Sequence, residues 1–169
     1  MALVKDGRLV PDPFRSVADD EPLPAGAAVL VSLERWRENR TVLLARAEPL
    51  GVRLKSHQLA GELAADLPHL ALIALEFPKF RDGRAFSTAR ELRERYHFPG
   101  EIQAVGHIIP DQYLFLVRAG VTSVSIPDGA DPAPWRAALG EFSVAYQPGI
   151  AGDAPLSLLR RRLLIGEPA

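Results

Sequence analysis

The sequence predicts an α/β fold: a single domain of about five βα units around a mainly parallel sheet. Three observations predict it. Apolar runs such as "AAVLVSL" and "LALIALEF" alternate with stretches of helical periodicity. Those runs are continuous, as parallel strands covered on both faces require. Helix start and stop signals, among them Pro110, Gly120 and the Asp131-Pro132 pair, fall between them. The strand order is not written in the sequence. A doubly wound, flavodoxin-like sheet is one solution. A curved sheet with neighbours in sequential order, a partial TIM-barrel-like arrangement, is the other.

Residues 1–26 read as an N-terminal hairpin and arm. In "LVKDGRLV", Asp6-Gly7 is a preferred pair for a tight hairpin turn. "PDPFRSVADDEPLPAG" is rich in proline and acid and reads as irregular. The hairpin is read as an ornament in preference to a strand that pairs with a partner subunit.

Residues 27–148 carry the α/β domain. "AAVLVSL" is strand one, and Leu33, Trp36, Leu43 and Ala47 then fall near one helical face. "GVRL" is strand two, and "SHQLAGELAADL" predicts a second helix capped by Ser56. "LALIALEF" is strand three. The third helix runs from about Phe86 to Tyr96, unless the capping-box spacing of Thr88 and Glu91 starts it later. Glu91 and Arg95 are a favourable i,i+4 pair, and "FPG" ends the helix. "EIQAVGHI" is strand four. Pro110 and Asp111 suit the first turn of the fourth helix, "DQYLFLVRAG", which Gly120 closes. "VTSVSI" is strand five. In "DPAPWRAALGEF", Asp131 caps, Pro132 takes the first helical position, and Trp135, Ala138, Leu139 and Phe142 share a face. Residues 149–169 are a C-terminal tail in which "LSLLRRRLL" can form a short helix that docks on the body or on a partner.

Composition narrows the function classes. Of 169 residues, 47% are hydrophobic and 24% charged, which places the chain among globular proteins. A net charge of -1 gives no global pull toward nucleic acid or an anionic membrane. No apolar run approaches the ~18 residues of a membrane span, and the N-terminus shows no signal-peptide pattern. The chain has no cysteine, which excludes disulfides, cysteine nucleophiles and thiolate metal sites on it and fits a reducing cytoplasm. His57, His69, His97 and His107 lack metal-ligand spacing, so no metal is expected. There is no Gly-rich nucleotide fingerprint after strand one, no Walker loop and no nucleophile elbow. A phosphoacceptor receiver is excluded because Ser32, Leu33 and Glu34 stand where it needs an acidic pair.

In parallel α/β architectures ligands bind beyond the carboxyl ends of the strands. The densest loop there is "EFPKFRDGRAFS", residues 76–87. Lys79, Arg81 and Arg84 precede a helix N-terminus, whose free N–H groups favour an anion. Gly83 lets backbone approach closely, and Ser87 offers a hydroxyl. One reading is therefore an oxyanion or phosphate site with Lys79 and Arg84 as cations. The other is a solvated loop, with Phe77 and Phe80 plugging the sheet end and Arg84 paired to Glu76 or Asp82. Glu76, at the end of a buried strand, is a candidate acid–base residue, as is His107. The alternatives are a carboxylate hydrogen-bonded within its loop and a histidine bonded to backbone. Asp111 and Gln112 either face the cleft or cap their helix.

Residues 72–126 also carry a longer pattern. Glu76, Phe77, Pro78, Lys79 and Phe80 are followed by Asp82-Gly83-Arg84, Phe86-Ser87, Arg90, Arg93, Gly100-Glu101, Val105-Gly106 and Asp111-Gln112. This resembles a bacterial family of unknown function whose members are often encoded beside sulfite reductase and labelled probable oxidoreductases of sulfite reduction. Weaker similarity extends from Ala28 to about Pro148, through "YQP". Family members commonly carry Asp where Glu76 stands, and "GHIIPDQ" replaces a more polar helix entry.

The resemblance implies an accessory protein of assimilatory sulfite reduction, with sulfite reductase or another sulfur-assimilation protein as partner. Lys79, Asp82, Gly83, Arg84, Ser87, Arg90, Gly106, Asp111 and Gln112 are then the candidate ligand-binding residues. No cofactor is identified, and a non-covalent flavin or haem is compatible with the residues. The alternatives are an autonomous small-molecule enzyme using Glu76 and His107, and a scaffold or homo-oligomer built through the hairpin and tail.

Overall fold

The chain opens with β1 (Ala2–Lys5) and β2 (Arg8–Val10), joined through Asp6 and Gly7 at φ 51° and 71°. Positive φ at both central residues is what the tight hairpin turn requires, and Asp-Gly supplies it. The computed structural model describes residues 2–140 and residue 150. The hairpin is not an ornament. β1 pairs antiparallel with β8 (Ser123–Ile126), from Ala2↔Ile126 to Val4↔Val124, and so belongs to the main sheet. A buried hydrogen bond from the Gly7 N–H to the Tyr113 hydroxyl (3.3 Å) fastens its turn to the body.

The sheet has eight strands in the order β2-β1-β8-β7-β6-β5-β4-β3. β4 (Val29–Ser32), β5 (Leu50–Leu54), β6 (Leu72–Phe77), β7 (Glu101–Gly106) and β8 run parallel in chain order. No reversal of order occurs among them, so the flavodoxin-like alternative does not describe this sheet, whose order is sequential. The arm contributes a strand that its composition hid: β3 (Arg15–Ser16) pairs parallel with β4. Two arginine side chains, the buried Arg35 and the partly buried Arg46, hold that arm. Arg35 donates to the carbonyls of Ala18 and Glu21, and Arg46 to those of Pro24 and Ala27 (2.8 and 3.0 Å).

The four α-helices of the described residues are α1 (Leu33–Leu44), α2 (Arg84–Glu94), α3 (Tyr113–Arg118) and α4 (Ala133–Gly140). Their buried side chains, among them Trp36, Leu43, Leu92, Tyr113, Leu116 and Trp135, enter one core with Val31, Val52, Ile73, Leu75, Ile102 and Val124. The opposite row of strand residues makes a smaller cluster of Leu30, Leu72 and Ala74, packed by Phe14 of the arm and Val105. Both faces are covered, as the continuous apolar runs require, but among the described residues the α-helices pack on one face and the arm on the other. When connections of one hand march one way across a sheet, they stay on one face. The sequence of the second face agrees: it carries Gly51, Arg53, Glu76, Gln103, Ser123 and Ser125.

Several element boundaries differ from expectation. "SHQLAGELAADL" forms two short 3-10 turns, Ala60–Leu63 and Leu67–His69, and no α-helix. Gly61 weakens helix propensity, and Pro68 lacks the N–H that an α-helix needs. Ser56 is not a cap there. α2 begins at Arg84, earlier than Phe86 or Thr88, because the Asp82 carboxylate accepts the Arg84 N–H (3.3 Å). Thr88 lies inside that helix and turns its hydroxyl back to the Arg84 carbonyl. Ala47 lies beyond α1 and is exposed. The fourth helix splits into a 3-10 turn (Pro110–Gln112) and α3. Gly120 follows at φ 98°. Asp131 does cap the last helix, accepting the Ala133 N–H at 2.8 Å. Phe142, the "YQP" segment and the helix expected in "LSLLRRRLL" lie outside the described residues. Among the described residues no helix is long and apolar enough to cross a membrane.

One network, with Asp66 buried and Arg40 half-exposed, ties α1 to the segment between the two 3-10 turns. The Trp36 indole donates to Asp66 Oδ2 (2.8 Å), while Arg40 Nε and Nη2 donate to Oδ1 (2.9 and 2.5 Å). Arg40 holds the Asp66 carboxyl below the usual carboxylate range against the opposing effect of burial, and Trp36 adds to the lowering. A carboxylate with a depressed folded pKa contributes stability that is complete above its unfolded value and is lost as pH falls through the folded one. Asp66→Asn is therefore expected to cost about 1–3 kcal/mol at pH 7. The gap from wild type should close as pH falls below about 4. Urea unfolding at pH 7 and at acid pH checks both parts.

Candidate functional site

The parallel strands deliver their carboxyl ends to one edge of the sheet, and the longest ladder ends there. β6 and β7 stay paired from Leu72↔Glu101 to Phe77↔Gly106, and the His107 N–H then donates to the Phe77 carbonyl at 2.8 Å. Gly106 has φ 104°, and a Cβ on it would lie 2.4 Å from that same carbonyl oxygen. Only glycine permits this approach. The two chains can therefore remain bonded to the last residue and then part sharply.

Where they part, a hollow of about 420 Å³ opens. Lys79 and Phe80 line it from the loop after β6, Gly106 from the end of β7, His107 and Ile109 from the loop that follows, and Pro127 from just after β8. Gln112 braces its walls. Its Nε2 donates to the Phe80 carbonyl and its Oε1 accepts the Ile109 N–H, both at 3.4 Å. The second contact is the capping one of the two roles expected for Gln112, since Ile109 is the residue that precedes the 3-10 turn Pro110–Gln112. Phe77 is buried and packs edge-on against Phe86, with centroids 5.3 Å apart. Phe80 is 54% exposed and does not plug the sheet end as the solvated-loop reading expects.

The charges of the loop are divided. Arg84 grips Asp82 through two contacts, Nε to Oδ1 at 2.9 Å and Nη2 to Oδ2 at 2.6 Å, and also reaches Ser56 Oγ at 2.9 Å. Arg84 holds the Asp82 carboxyl well below the usual range. This is a fork-on-fork pair, and the Ser56 contact ties the loop after β5 to the start of α2. Lys79 is different: it is exposed and has no ion pair among the described residues.

The other candidates are dispersed. Glu76 is half-buried, and strand alternation sets it on the face opposite Phe77; it does not line the hollow that His107 lines. Gly83 is exposed at the cap position of α2. Ser87 is exposed on that helix, and Arg90, also exposed, pairs with Glu94 at 2.8 Å. Asp111 is exposed and borders a second hollow of about 630 Å³ with Arg136. No group of three or more His, Cys, Asp or Glu among the described residues is arranged to hold a metal ion.

Sequence reasoning missed two features here. Ile109 and Pro127 sit in loops, where apolar residues carry no periodic signal. Glu34, Lys55 and Gln58 form a network at the ends of β4 and β5. Glu34 Oε1 accepts from Lys55 Nζ at 2.8 Å and from Gln58 Nε2 at 3.1 Å. Lys55 holds the Glu34 carboxyl below its usual range, and Glu34 raises Lys55 in return. Residue spacing along the chain does not announce a contact between separate βα units.

The Gly106 constraint has a measurable consequence. Gly106→Ala is expected to lower stability by at least about 2 kcal/mol, through the strained φ and the backbone clash. Gly83→Ala meets no atom within 4 Å at an ordinary φ and should change stability by less than about 0.5 kcal/mol. Chemical denaturation of the two variants makes the comparison.

No curated protein matches the chain. Residues 51–157 match a family described as bacterial protein of unknown function, DUF934. That span contains every residue of the hollow and leaves out the hairpin, the arm and β4. The match covers more than half of the chain, which therefore belongs to the DUF934 family.

Proposed function

We infer that the protein is an accessory component of assimilatory sulfite reduction that receives a small oxyanion or phosphate group at the loop after β6. The observation that supports the binding site is Lys79, a cation without an ion pair among the described residues, on the wall of a hollow at the carboxyl edge of a parallel sheet. That edge is where this architecture binds ligands. The sulfur-assimilation setting is supported by the sequence resemblance of residues 72–126. Within the site Lys79 supplies the charge, His107 is the adjacent polar side chain, and Arg84 shapes the loop through Asp82 without meeting the anion.

Two measurements test this reading. In calorimetric titration with sulfate and sulfite, Lys79→Ala is expected to weaken binding by about three- to fivefold, as loss of a single partly exposed ion pair does. Arg81→Ala should leave binding within about twofold. A strain lacking the gene should grow poorly on sulfate and normally on cysteine. Equal growth on both would remove the sulfite-reduction role, and absent anion binding would remove the site.

A further inference from the structure

We propose that the hollow's ligand is an amphiphilic organic anion: an aromatic sulfonate, phosphate or carboxylate whose flat body lies on Phe80 and Ile109 while its charged group meets Lys79. This rests on the reading that Lys79 takes the anion and adds the chemical class of the rest of the ligand.

The first argument is the imbalance of the lining. One cation, Lys79, without an ion pair among the described residues, meets a wall that is otherwise largely apolar: Phe80, Ile108, Ile109, Pro78 and Pro127. A bare inorganic oxyanion, stripped of water, needs several donors converging on it. Neither other cation of the loop lines the hollow, and Arg84 is held by Asp82. A site for sulfate alone would not need this apolar surface.

The second argument is exposure. Phe80 is 54% and Ile109 38% exposed. Large apolar side chains scattered singly over a surface need no explanation. These two converge on one concave site from different loops, which is the usual sign of a binding surface. An aromatic ring in contact with Phe80 would remove apolar area from water on both partners.

The third argument is size and preparation. About 420 Å³ is larger than an inorganic oxyanion requires and lies in the range of small-molecule sites, roughly 300–1,000 Å³. It is also concave, where protein partners more often meet a flatter and wider patch. Its walls are set before any ligand arrives, by the Phe77–Gly106 approach and the Gln112 brace. A preformed site loses little freedom on binding.

The experiment titrates the full chain with naphthalene-2-sulfonate, inorganic sulfate and the neutral naphthalene-2-methanol, by calorimetry at fixed ionic strength. The sulfonate is expected to bind at least about tenfold more tightly than either of the others, because it alone uses both halves of the site. Phe80→Ala should remove most of that advantage and leave sulfate binding within about twofold. Lys79→Ala should weaken the sulfonate and sulfate together. Phe80 and Lys79 are both exposed, so circular dichroism should show both variants folded. Leu59→Ala, at an exposed apolar position outside the hollow, should change nothing. Sulfate binding as tight as the sulfonate would overturn the amphiphilic class and leave the Lys79 anion site standing. Failure of both anions to bind would overturn the two readings together. Equal loss in Leu59→Ala and Phe80→Ala would mean diffuse apolar adsorption and would also overturn the proposal.

Discussion

The ladder between β6 and β7 is the constraint on which the rest of the carboxyl edge depends. Six residue pairs hold it, from the base of the sheet to Phe77↔Gly106. Its last pair closes only because residue 106 has no side chain; the Phe77 carbonyl occupies the place a Cβ would take. The Phe77 ring is thereby held inside the helical core, and the following residues, Pro78 to Phe80, are turned outward. The loop after β7 is turned outward beside them. The hollow is the space between two chains that are forced to separate abruptly. Gln112 then keeps the walls at a fixed distance by bonding to the main chain of each.

At the opposite edge of the sheet, an arginine performs a comparable task. Arg93, from the last turn of α2, donates to the carbonyls of Phe98, Gly100 (2.8 Å) and Gly120 (3.0 Å). Burial lowers its pKa, yet a guanidinium is basic enough to stay charged at any ordinary pH. It joins the segment entering β7 to the segment entering β8. The two ends of β7 are thus fixed by different means, close main-chain packing at one and a planar donor at the other. Such tethering leaves the register of the central strands little freedom to slip.

Much of this was legible along the chain. The Asp6-Gly7 turn, the five parallel strands, the Asp131 cap and the Glu91–Arg95 pair (2.9 Å) all follow from local chemistry, and each is found. The failures share a cause. The Thr88–Glu91 spacing suits a helix start, but Asp82 captures the Arg84 N–H first and the helix begins a turn earlier. The helix expected at "SHQLAGELAADL" depends on local propensity alone, and Gly61 and Pro68 leave it as 3-10 turns. Arg84 was read both as an anion ligand and as a partner of Asp82; only the bidentate geometry distinguishes them, and it joins Arg84 to Asp82. Phe80 and Phe77 look alike in sequence, yet strand pairing holds Phe77 in the core and leaves Phe80 outside.

The sequence by itself determined the class of fold, the alternation of strands and helices, and the edge on which polar and glycine residues gather. It did so because periodicity, caps and turns act within a few residues. The strand order, the packing of the described helices on one face, the union of the hairpin with β8, and the separation of Lys79 from the paired Arg84 were settled only in three dimensions. These depend on contacts between segments far apart in the chain, such as β1 with β8 or Ser56 with Arg84. Local free energies do not rank such contacts; the packing of the whole sheet does.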